Sequence, residues 1–582
     1  MAEVKQFLSL IMDTFKSSES QTLVGNPSEV DEWLSYASSF GVGSELEGIC
    51  AYANSYLALR TYFVGNDLTV ADITIVAYLA KAGPRWESFG KSVKFPNLVR
   101  WYNCILVQYP AIANVLPSRG AGKPAPEVSK SSSAEAKEKL DGSFEVDLPG
   151  VEMGNVCTWF PPEPSGYLHI GHAKATLLNQ FFAQKHKGRL IIRFDNTNPA
   201  IEKDGFVEST LQDLDTLGVK GNVITYTSDY FPQLMEMCEK LMKEEKAYVD
   251  DAEREQMQLE RKAMIESNIE GVTHALRSSE YHDRNDQYYR VLEDMQLRKI
   301  HVWDFSRLNF VYTLLSKRKL QWFVDSGRVE GWYDPRFPTV QGIIRRGLTI
   351  EALKRFILSQ GALKNLNLME WDKLWTINKK IIDPVCPRHT AVLSEGKVLL
   401  DLSSGPETPF TRVILRHKKY EPAGKKATVF TKKMWLDHAD ATTVSEGVEV
   451  SLMHWSNCFI GKVERDQYEL HVEGLVKTTK LKLTWLLETS EPVPLTLVEL
   501  VHLIVKKKLE ENDNFVSVLN PVTRIESAAI GDSNMRNLQR GEIIQLERKG
   551  YYICDVPFER SSKPIMLISI PDGRQQKPPG QH

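Results

Sequence analysis

Hydrophobic side chains recur at helical spacing in the first part of the chain. Apolar and aromatic residues there return every three or four positions. The stretches that show this spacing are 30–37, 73–82 and 98–106. Thr69 stands three residues before Asp72, which is the spacing of a helix-capping pair. We therefore predict an all-α domain over residues 1–115.

The pattern changes several times farther along the chain. Residues 116–150 are rich in Gly, Pro and Ser and predict a linker. Residues 151–334 alternate short apolar runs with amphipathic stretches, as in a doubly wound parallel sheet. Later runs rich in Val, Leu and Thr alternate with turn residues, which predicts β-barrels over 386–575 and a loose polar tail over 576–582.

Composition restricts the class of protein. The chain has 582 residues, too many for one hydrophobic core, and its 42% apolar content is that of a globular protein. No apolar run approaches the length of a membrane span, so we expect none. The seven cysteines lie far apart, which predicts neither disulfides nor a metal site and favours the reducing cytoplasm. The 72 basic and 75 acidic residues nearly cancel, so nucleic-acid binding requires a local basic patch.

The strongest chemical motif follows the first predicted strand. Residues 160–174 read FPPEPSGYLHIGHAK, a turn that opens a helix. Backbone N–H groups at a helix start, together with its positive end, favour phosphate binding. His169 and His172 lie on one side of the first turn, and Gly171 leaves room for a base or a ribose.

A second motif lies far along the chain from the first. Residues 306–309 read SRLN, and residues 314–319 read LLSKRK. Taken alone, such a basic stretch is a solvated turn. Combined with a phosphate-binding turn, a mobile Lys317 can neutralise the charge on a leaving pyrophosphate.

Together the two motifs resemble the HIGH and KMSKS signatures of class I aminoacyl-tRNA synthetases. Further strings resemble the glutamyl/glutaminyl subfamily of the archaeal–eukaryotic cytosolic type. They are RFDNTNP (193–199), THALRSSEY (273–281), PRFPTVQG (335–342) and LMEWDKLW (368–375). The sequence LRSSEY (276–281) favours a glutamyl member. The sequence FVGNDLTVADI (63–73) favours one as well, because it resembles the capping motif in the helical half of glutathione transferases.

The resemblance implies a multidomain α/β fold. Its parts would be an N-terminal all-α module like the C-terminal half of glutathione transferases, a Rossmann-like class I core and C-terminal β-barrel anticodon-binding domains. Residues 335–385 would form a helical region that contacts the tRNA stem. The core would carry a truncated insertion near residues 250–272, because the family places a whole acceptor-binding domain where this chain has a short junction.

The resemblance also assigns roles to residues. His169, His172 and Lys317 would be catalytic. The ATP-binding residues would be Glu163, Ser165, His169, Gly171, His172, Ser278, Glu280, Arg307, Leu308, Leu315, Ser316 and Lys317. The glutamate-binding residues would be Trp159, Phe160, Pro161, Asp195 and Arg277, with Arg277 as a fork for a carboxylate and Asp195 as an acceptor for the ammonium group. Leu308 as a core residue and Glu280 as a surface acid remain alternatives.

The implied activity is that of a glutamate–tRNA ligase. Such an enzyme activates L-glutamate with ATP and Mg²⁺, without a tightly bound cofactor, and transfers it to tRNA(Glu) in the cytoplasm. Residues 1–115 would dock on protein partners of a multi-synthetase assembly. Basic residues interleaved with aromatic ones would contact the tRNA. These are Arg412, Arg416, Lys418, Lys419, Lys425 and Lys426, for which a solvated surface is the alternative.

Two other functions remain open, the first of them because of departures from the family pattern. Trp159 stands where the family has an Arg that grips the substrate carboxylate, Asn196 stands where it has an Asp, and the acceptor-binding insertion is missing. One alternative is a catalytically impaired isoform or paralogue that binds tRNA and docks on a complex. The other is glutaminyl specificity.

Overall fold

The structure, a computed structural model, describes residues 26–40, 46–91, 94–110, 112, 148–199, 202–247, 272–360, 368–403, 405–461, 481–489, 491–510 and 513–574. Nearly all of the predicted linker (116–150) and insertion junction (250–272), and the whole tail (576–582), lie outside these residues. No helix among the described residues is long and apolar enough to cross a membrane.

The chain divides into two units, each built from several segments of the sequence. The first unit comprises Met1–Ala136, Ile382–Glu499 and Glu526–Ser569. The second unit comprises Lys137–Ile381, Leu500–Ile525 and Ile570–His582.

A helical domain begins the first unit. Its helices are α1 (Pro27–Ala37), α2 (Leu46–Tyr56), α3 (Val70–Lys81), α4 (Pro84–Lys91) and α5 (Pro96–Gln108). The three apolar stretches of the sequence fall on α1, α3 and α5, with ends that differ by at most three residues, so the prediction of helices there is confirmed. The domain encloses an aromatic core, in which the Phe63 ring lies 4.4 Å from that of Trp33 and 4.7 Å from that of Trp101.

The carboxylate of Asp72 connects α3 to the rest of this domain. It is fully buried and accepts hydrogen bonds from the N–H groups of Phe63 (2.9 Å) and Thr69 (3.1 Å). The Thr69 hydroxyl (2.7 Å) and the Trp101 indole N–H (2.9 Å) complete the set of donors. The capping pair was predicted from the sequence, whereas the contacts with Phe63 and Trp101 depend on the tertiary fold.

Parallel strands form the centre of the second unit. They are β1 (Cys157–Phe160), β2 (Arg189–Phe194), β3 (Val223–Tyr226), β4 (His274–Ser278) and β5 (His301–Phe305). The first three pair in the order β1-β2-β3, and β4 pairs with β5. The N–H of Thr273 donates to the carbonyl of Cys157 at 2.9 Å and links the two sets. This confirms the predicted parallel α/β class, and β1 is buried along its whole length, as a strand covered on both faces should be.

Helices lie between these strands and after them along the chain. They are α6 (Ile170–Lys185), α7 (Asp204–Thr216), α8 (Phe231–Lys243), α9 (Asn285–Asp294), α10 (Lys317–Asp325), α11 (Val340–Arg345), α12 (Ile350–Gln360) and α13 (Asp372–Ile382). Two short strands, β6 (Asn309–Phe310) and β7 (Leu368–Met369), pair with each other. Helix α6 packs on the sheet, where the Thr158 hydroxyl donates to the carbonyl of Asn179 at 2.9 Å.

The C-terminal half is rich in strands and, in the part that the structure describes, has one short α-helix, α14 (His438–Ala441). The strands are β8 (Arg388–His389), β9 (Ala391–Leu393), β10 (Val398–Asp401), β11 (Phe410–Leu415), β12 (Lys425–Phe430), β13 (Lys433–Leu436), β14 (Glu449–Leu452), β15 (Asn457–Phe459), β16 (Leu481–Leu483), β17 (Trp485–Leu487), β18 (Val493–Leu500), β19 (Arg524–Gly531), β20 (Ile543–Leu546), β21 (Gly550–Val556) and β22 (Ile565–Ile570). The largest sheet has seven strands in the order β8-β20-β21-β22-β18-β19-β9. The sequence-based prediction that the chain becomes rich in strands after about residue 386 is confirmed.

One segment of the helical domain contacts the strand-rich part of the same unit. The Thr411 hydroxyl donates to the carbonyl of Ala58 (3.2 Å), and the Ser533 hydroxyl donates to that of Leu59 (3.0 Å). The Asn537 amide donates to the carbonyl of Gly65 (3.1 Å). Part of the surface of the helical domain is therefore covered by contacts within the same unit.

Two residues of the predicted tRNA-binding stretch are buried among charges. The Lys426 ammonium group, in a residue only 4% exposed, lies 3.4 Å from a carboxylate oxygen of Asp532. The Arg416 guanidinium lies 3.4 Å from Glu542 and 3.2 Å from His389. This burial contradicts the assignment of both side chains to a tRNA surface, because RNA phosphates cannot reach enclosed and paired cations.

The other basic residues of that stretch remain accessible. Arg412, Lys418 and Lys419 are exposed, and Lys425 is half-buried. The Arg412 guanidinium lies 5.1 Å from the ring of Phe410, so a cation and an aromatic face adjoin at the surface. Their assignment to tRNA contact stays a prediction.

We predict that Asp72→Asn destabilises the helical domain by about 2–4 kcal/mol, because an amide group then faces donors in a buried site. Hydrogen exchange in the full chain should show faster exchange of amides in α3 and α5. Asp31→Asn, at an exposed position of α1, is the matched control and should leave exchange unchanged. Unchanged protection in Asp72→Asn would refute the structural role of the carboxylate.

Candidate active site

The first motif forms the turn between β1 and α6. His169 is the N-cap of α6, and its Nδ1 atom accepts a hydrogen bond from the N–H of Gly171 at 3.0 Å. The Nδ1 atom of His172 accepts one from the N–H of His169 at 3.1 Å, and the two ring centroids are 3.9 Å apart. Because both Nδ1 atoms accept, both rings carry their proton on Nε2 and can donate it to a ligand.

Both histidines are held in the neutral form. Burial, aided by the charge of Arg307, lowers the pKa of His169 to about 4. Burial, the neighbouring His169 and Arg307 together hold the pKa of His172 well below its ordinary value. At neutral pH the pair therefore offers two N–H donors without a fixed positive charge.

The PRFPTVQG string (335–342) is hydrogen-bonded to this turn through the backbone. The N–H of Ile170 donates to the carbonyl of Pro338 at 3.0 Å, and the N–H of Val340 donates to that of Leu168 at 3.0 Å. The Thr339 hydroxyl accepts a bond from Gly342 at the start of α11 and donates to the carbonyl of Trp332 at 2.7 Å. The string was predicted to belong to a tRNA-contact region, whereas in the structure its residues also fix the histidine turn.

Lys317 lies against the same turn. It is the first residue of α10, and a Cβ atom built on Gly166 would lie 2.6 Å from its Cε atom. Its ammonium group lies 5.4 Å from the ring of Phe206 in α7. Burial lowers the pKa of Lys317, although the nearby Glu163 opposes that shift.

The two motifs enclose one cavity of about 230 Å³. Of the predicted ATP-binding residues, those that line it are Glu163, Ser165, His169, His172, Leu315 and Lys317. Tyr167 and Trp332 also line it, and their rings stack at 5.3 Å. Neither aromatic residue was predicted as a site residue, although Tyr167 lies inside the first motif; Trp332 lies outside every string quoted from the sequence.

The remaining predicted ATP residues do not line this cavity. Arg307 and Glu280 form an ion pair at 2.5 Å, which joins the segments after β4 and β5. Leu308 is buried at 1% exposure, which fits its alternative interpretation as a core residue. Ser316 occupies the N-cap position of α10, and Ser278 ends β4. Gly171 lies in the first turn of α6.

Trp159, one of the predicted glutamate-binding residues, has an unusual partner. Its indole is 5% exposed and packs against Cys157 and Ile191. The guanidinium carbon of Arg193 lies 4.3 Å from the indole ring centre, in a cation–π contact. At position 159, where the resemblance implies an Arg, the chain thus has an aromatic face that holds a cation of the neighbouring strand.

The other predicted glutamate residues lie apart from the cavity lining. Arg277 contacts Asn285, and its guanidinium is 5.3 Å from the ring of Tyr288. The carboxylate of Asp195 accepts a hydrogen bond from the Thr197 hydroxyl at 3.3 Å. Phe160 is buried at the end of β1, and Pro161 is exposed beyond it. Their roles toward glutamate stay predictions.

Proteins of known name are similar to this chain over most of its length. A cytoplasmic glutamate–tRNA ligase of Arabidopsis thaliana is 51% identical, over 94% of this chain and 89% of that protein. The corresponding protein of Saccharomyces cerevisiae is 40% identical, over 94% and 89% of the two chains. A probable cytoplasmic glutamate–tRNA ligase of Schizosaccharomyces pombe is 39% identical, over 97% and 90%.

Models of known protein families match successive regions of the chain. The catalytic domain of class I tRNA synthetases (E and Q) matches residues 155–268 and 263–384, and the anticodon-binding domains of these enzymes match 386–479 and 482–555. The C-terminal domain of glutathione S-transferases matches residues 44–108. The chain therefore belongs to the glutamate–tRNA ligase family of class I tRNA synthetases.

The matches also bear on the length of the catalytic domain. The catalytic-domain match is divided into two parts that meet at residues 263–268. The alignment with the Arabidopsis protein spans 641 positions, more than the 582 residues of this chain, so that protein carries residues that this chain lacks. The truncated insertion near residues 250–272 stays a prediction with which both findings agree.

We predict that Gly166→Ala slows ATP–pyrophosphate exchange roughly 10- to 100-fold, because the new methyl group displaces the end of Lys317 by an ångström or more. The side chain of Lys317 is flexible, so folding should be unaffected. Gly205→Ala is the matched control, since a Cβ atom there meets open space in α7. Equal exchange rates in the two variants would contradict this account.

Proposed function

We propose that the chain catalyses both steps of glutamate–tRNA ligation in the cytoplasm. In the first step, an α-carboxylate oxygen of L-glutamate attacks the α-phosphorus of ATP, the bond to the β-phosphate breaks, and glutamyl-adenylate and pyrophosphate form. In the second step, a hydroxyl of the 3′-terminal ribose of tRNA(Glu) attacks the acyl carbon and releases AMP. Mg²⁺ would enter on the ATP phosphates as part of the substrate.

The observation that carries this proposal is the cavity in which the two distant motifs meet. There His169 and His172 present neutral N–H donors, and the ammonium group of Lys317 faces the same space. The start of α6 adds its positive end. This set of groups suits the triphosphate of ATP, since the charge that develops on departing pyrophosphate meets a lysine and two donors.

The proposed tRNA contacts lie in the first unit. Its strand-rich domains match anticodon-binding models, and the accessible Arg412, Lys418, Lys419 and Lys425 are our candidates for phosphate contact. The helical domain would dock protein partners through surfaces other than the segment that accepts bonds from Thr411.

The similar proteins favour glutamate over glutamine as the amino acid, because those described above are named glutamate–tRNA ligases. The assembled arrangement of His169, His172 and Lys317 favours an active enzyme over an impaired paralogue. Trp159 and the short junction are the features that an activity measurement has to test.

We expect the purified 582-residue chain to exchange pyrophosphate into ATP only with glutamate and tRNA(Glu) present. Lys317→Met should reduce this exchange about 100-fold, because it removes the charge that stabilises departing pyrophosphate. Arg318→Met is the matched control, since it removes the next cation of α10, which is exposed and does not line the cavity.

Three outcomes of this measurement decide between the functions. Glutamate-specific exchange that depends on Lys317 supports the ligase. Exchange with glutamine in place of glutamate would support the glutaminyl alternative. Tight binding of tRNA(Glu) without any exchange would refute the enzyme and leave a protein that binds tRNA.

We further predict that Trp159→Arg lowers the KM for glutamate by about tenfold, because a guanidinium then pairs with a substrate carboxylate. Repulsion from the adjacent Arg193 should limit the gain. Trp159→Leu removes the indole without adding charge and should give no improvement. A higher KM for glutamate in Trp159→Arg than in Trp159→Leu would show that the position no longer contacts substrate.

A further inference from the structure

A buried lysine joins the histidine helix to the end of β5. Lys174 lies in the second turn of α6 and is only 1% exposed. Its ammonium group donates to the carbonyl oxygen of Ser306 at 2.5 Å and lies 3.4 Å from the Ser306 hydroxyl. The ring of Phe305, the last residue of β5, is 5.5 Å away.

Burying the Lys174 ammonium group costs free energy. Burial of an ammonium group is unfavourable, and burial lowers the pKa of Lys174 to about 8. Among the residues that the structure describes, no carboxylate pairs with it; its strongest contact is with a backbone carbonyl group. A side chain that only filled space would be better apolar, so the position of this hydrogen bond is the feature to explain.

The bond fixes the segment that follows β5. Ser306 precedes Arg307, which pairs with Glu280 and whose charge lowers the pKa values of His169 and His172. The place of Arg307 beside the histidine pair therefore depends on where the Ser306 carbonyl is held. Since α6 carries both histidines, one rigid helix can set the separation between them and the turn after β5.

We propose that Lys174 is a positioning residue for ATP: it holds the turn Ser306–Leu308, and with it Arg307, at a set distance from the histidine pair, so that the ATP site keeps one geometry. This inference rests on the proposed ATP-dependent function. It assigns Lys174 no contact with substrate.

The test is calorimetric binding of the non-hydrolysable analogue α,β-methylene-ATP to the full chain. Lys174→Met keeps an unbranched side chain of similar length but removes the donors and the charge. We expect its Kd for the analogue to rise about tenfold or more, because a charge-assisted hydrogen bond to the turn is lost. Binding of tRNA(Glu), measured on the same sample, should stay within twofold of the unmodified chain.

Three further variants separate positioning from general effects. Lys185→Met removes an exposed lysine from the last turn of the same helix and should not change the Kd. Ser306→Ala removes only the distant hydroxyl contact and should also bind as the unmodified chain does. Lys174→Gln retains a neutral donor and should give an intermediate Kd.

Each outcome decides the matter. A selective rise in the Kd for the analogue, with an unchanged unfolding temperature, supports the positioning role. Unchanged binding by a folded Lys174→Met, or an equal loss of analogue and tRNA binding, would overturn it. Failure of both Lys174→Met and Lys174→Gln to fold would overturn it as well, since Lys174 would then be a structural residue. If the unmodified chain bound no analogue, the proposed function would fail together with this inference.

Discussion

Two backbone hydrogen bonds determine how the candidate site is assembled. They pair Leu168 and Ile170, on either side of His169, with the chain at Pro338 and Val340. Backbone groups cannot reorient as side chains do, so this pairing gives the histidine turn one conformation. The Nδ1 atoms of both histidines are then used by the turn itself, and only their Nε2–H groups remain for a ligand.

The pKa shifts of four basic residues in the two motifs share one direction. Burial lowers the pKa values of His169, His172, Lys174 and Lys317 together. Each of these shifts reflects the cost of removing positive charge from water, which the carboxylate of Glu163 partly offsets at Lys317. A bound polyanion would supply the missing negative charge and reverse the sign of that cost. The site is therefore one that becomes electrostatically favourable when a triphosphate enters it.

The first unit illustrates the limit of reading charge from sequence. Arg412, Arg416, Lys418 and Lys426 belong to one basic, aromatic-rich stretch, and the sequence treats them alike. In the structure, Arg416 and Lys426 are enclosed with Glu542 and Asp532, far from them in sequence, whereas Arg412 and Lys418 face solvent. Strand alternation alone could not separate them, because the acidic partners come from other strands and turns.

The sequence by itself determined the elements and the family. Periodicity placed α1, α3 and α5 to within three residues, alternation indicated a parallel α/β core, and two motifs predicted a phosphate-binding turn and a mobile lysine. Local patterns suffice there, because helix caps, glycine turns and strand periods act over a few residues. Only the tertiary structure decided that Trp332 stacks on Tyr167 in the cavity lining, that Lys174 holds Ser306 and that Arg193 covers Trp159. These contacts join residues far apart in the chain, and their energy arises from burial and charge pairing that exist only once the fold has formed.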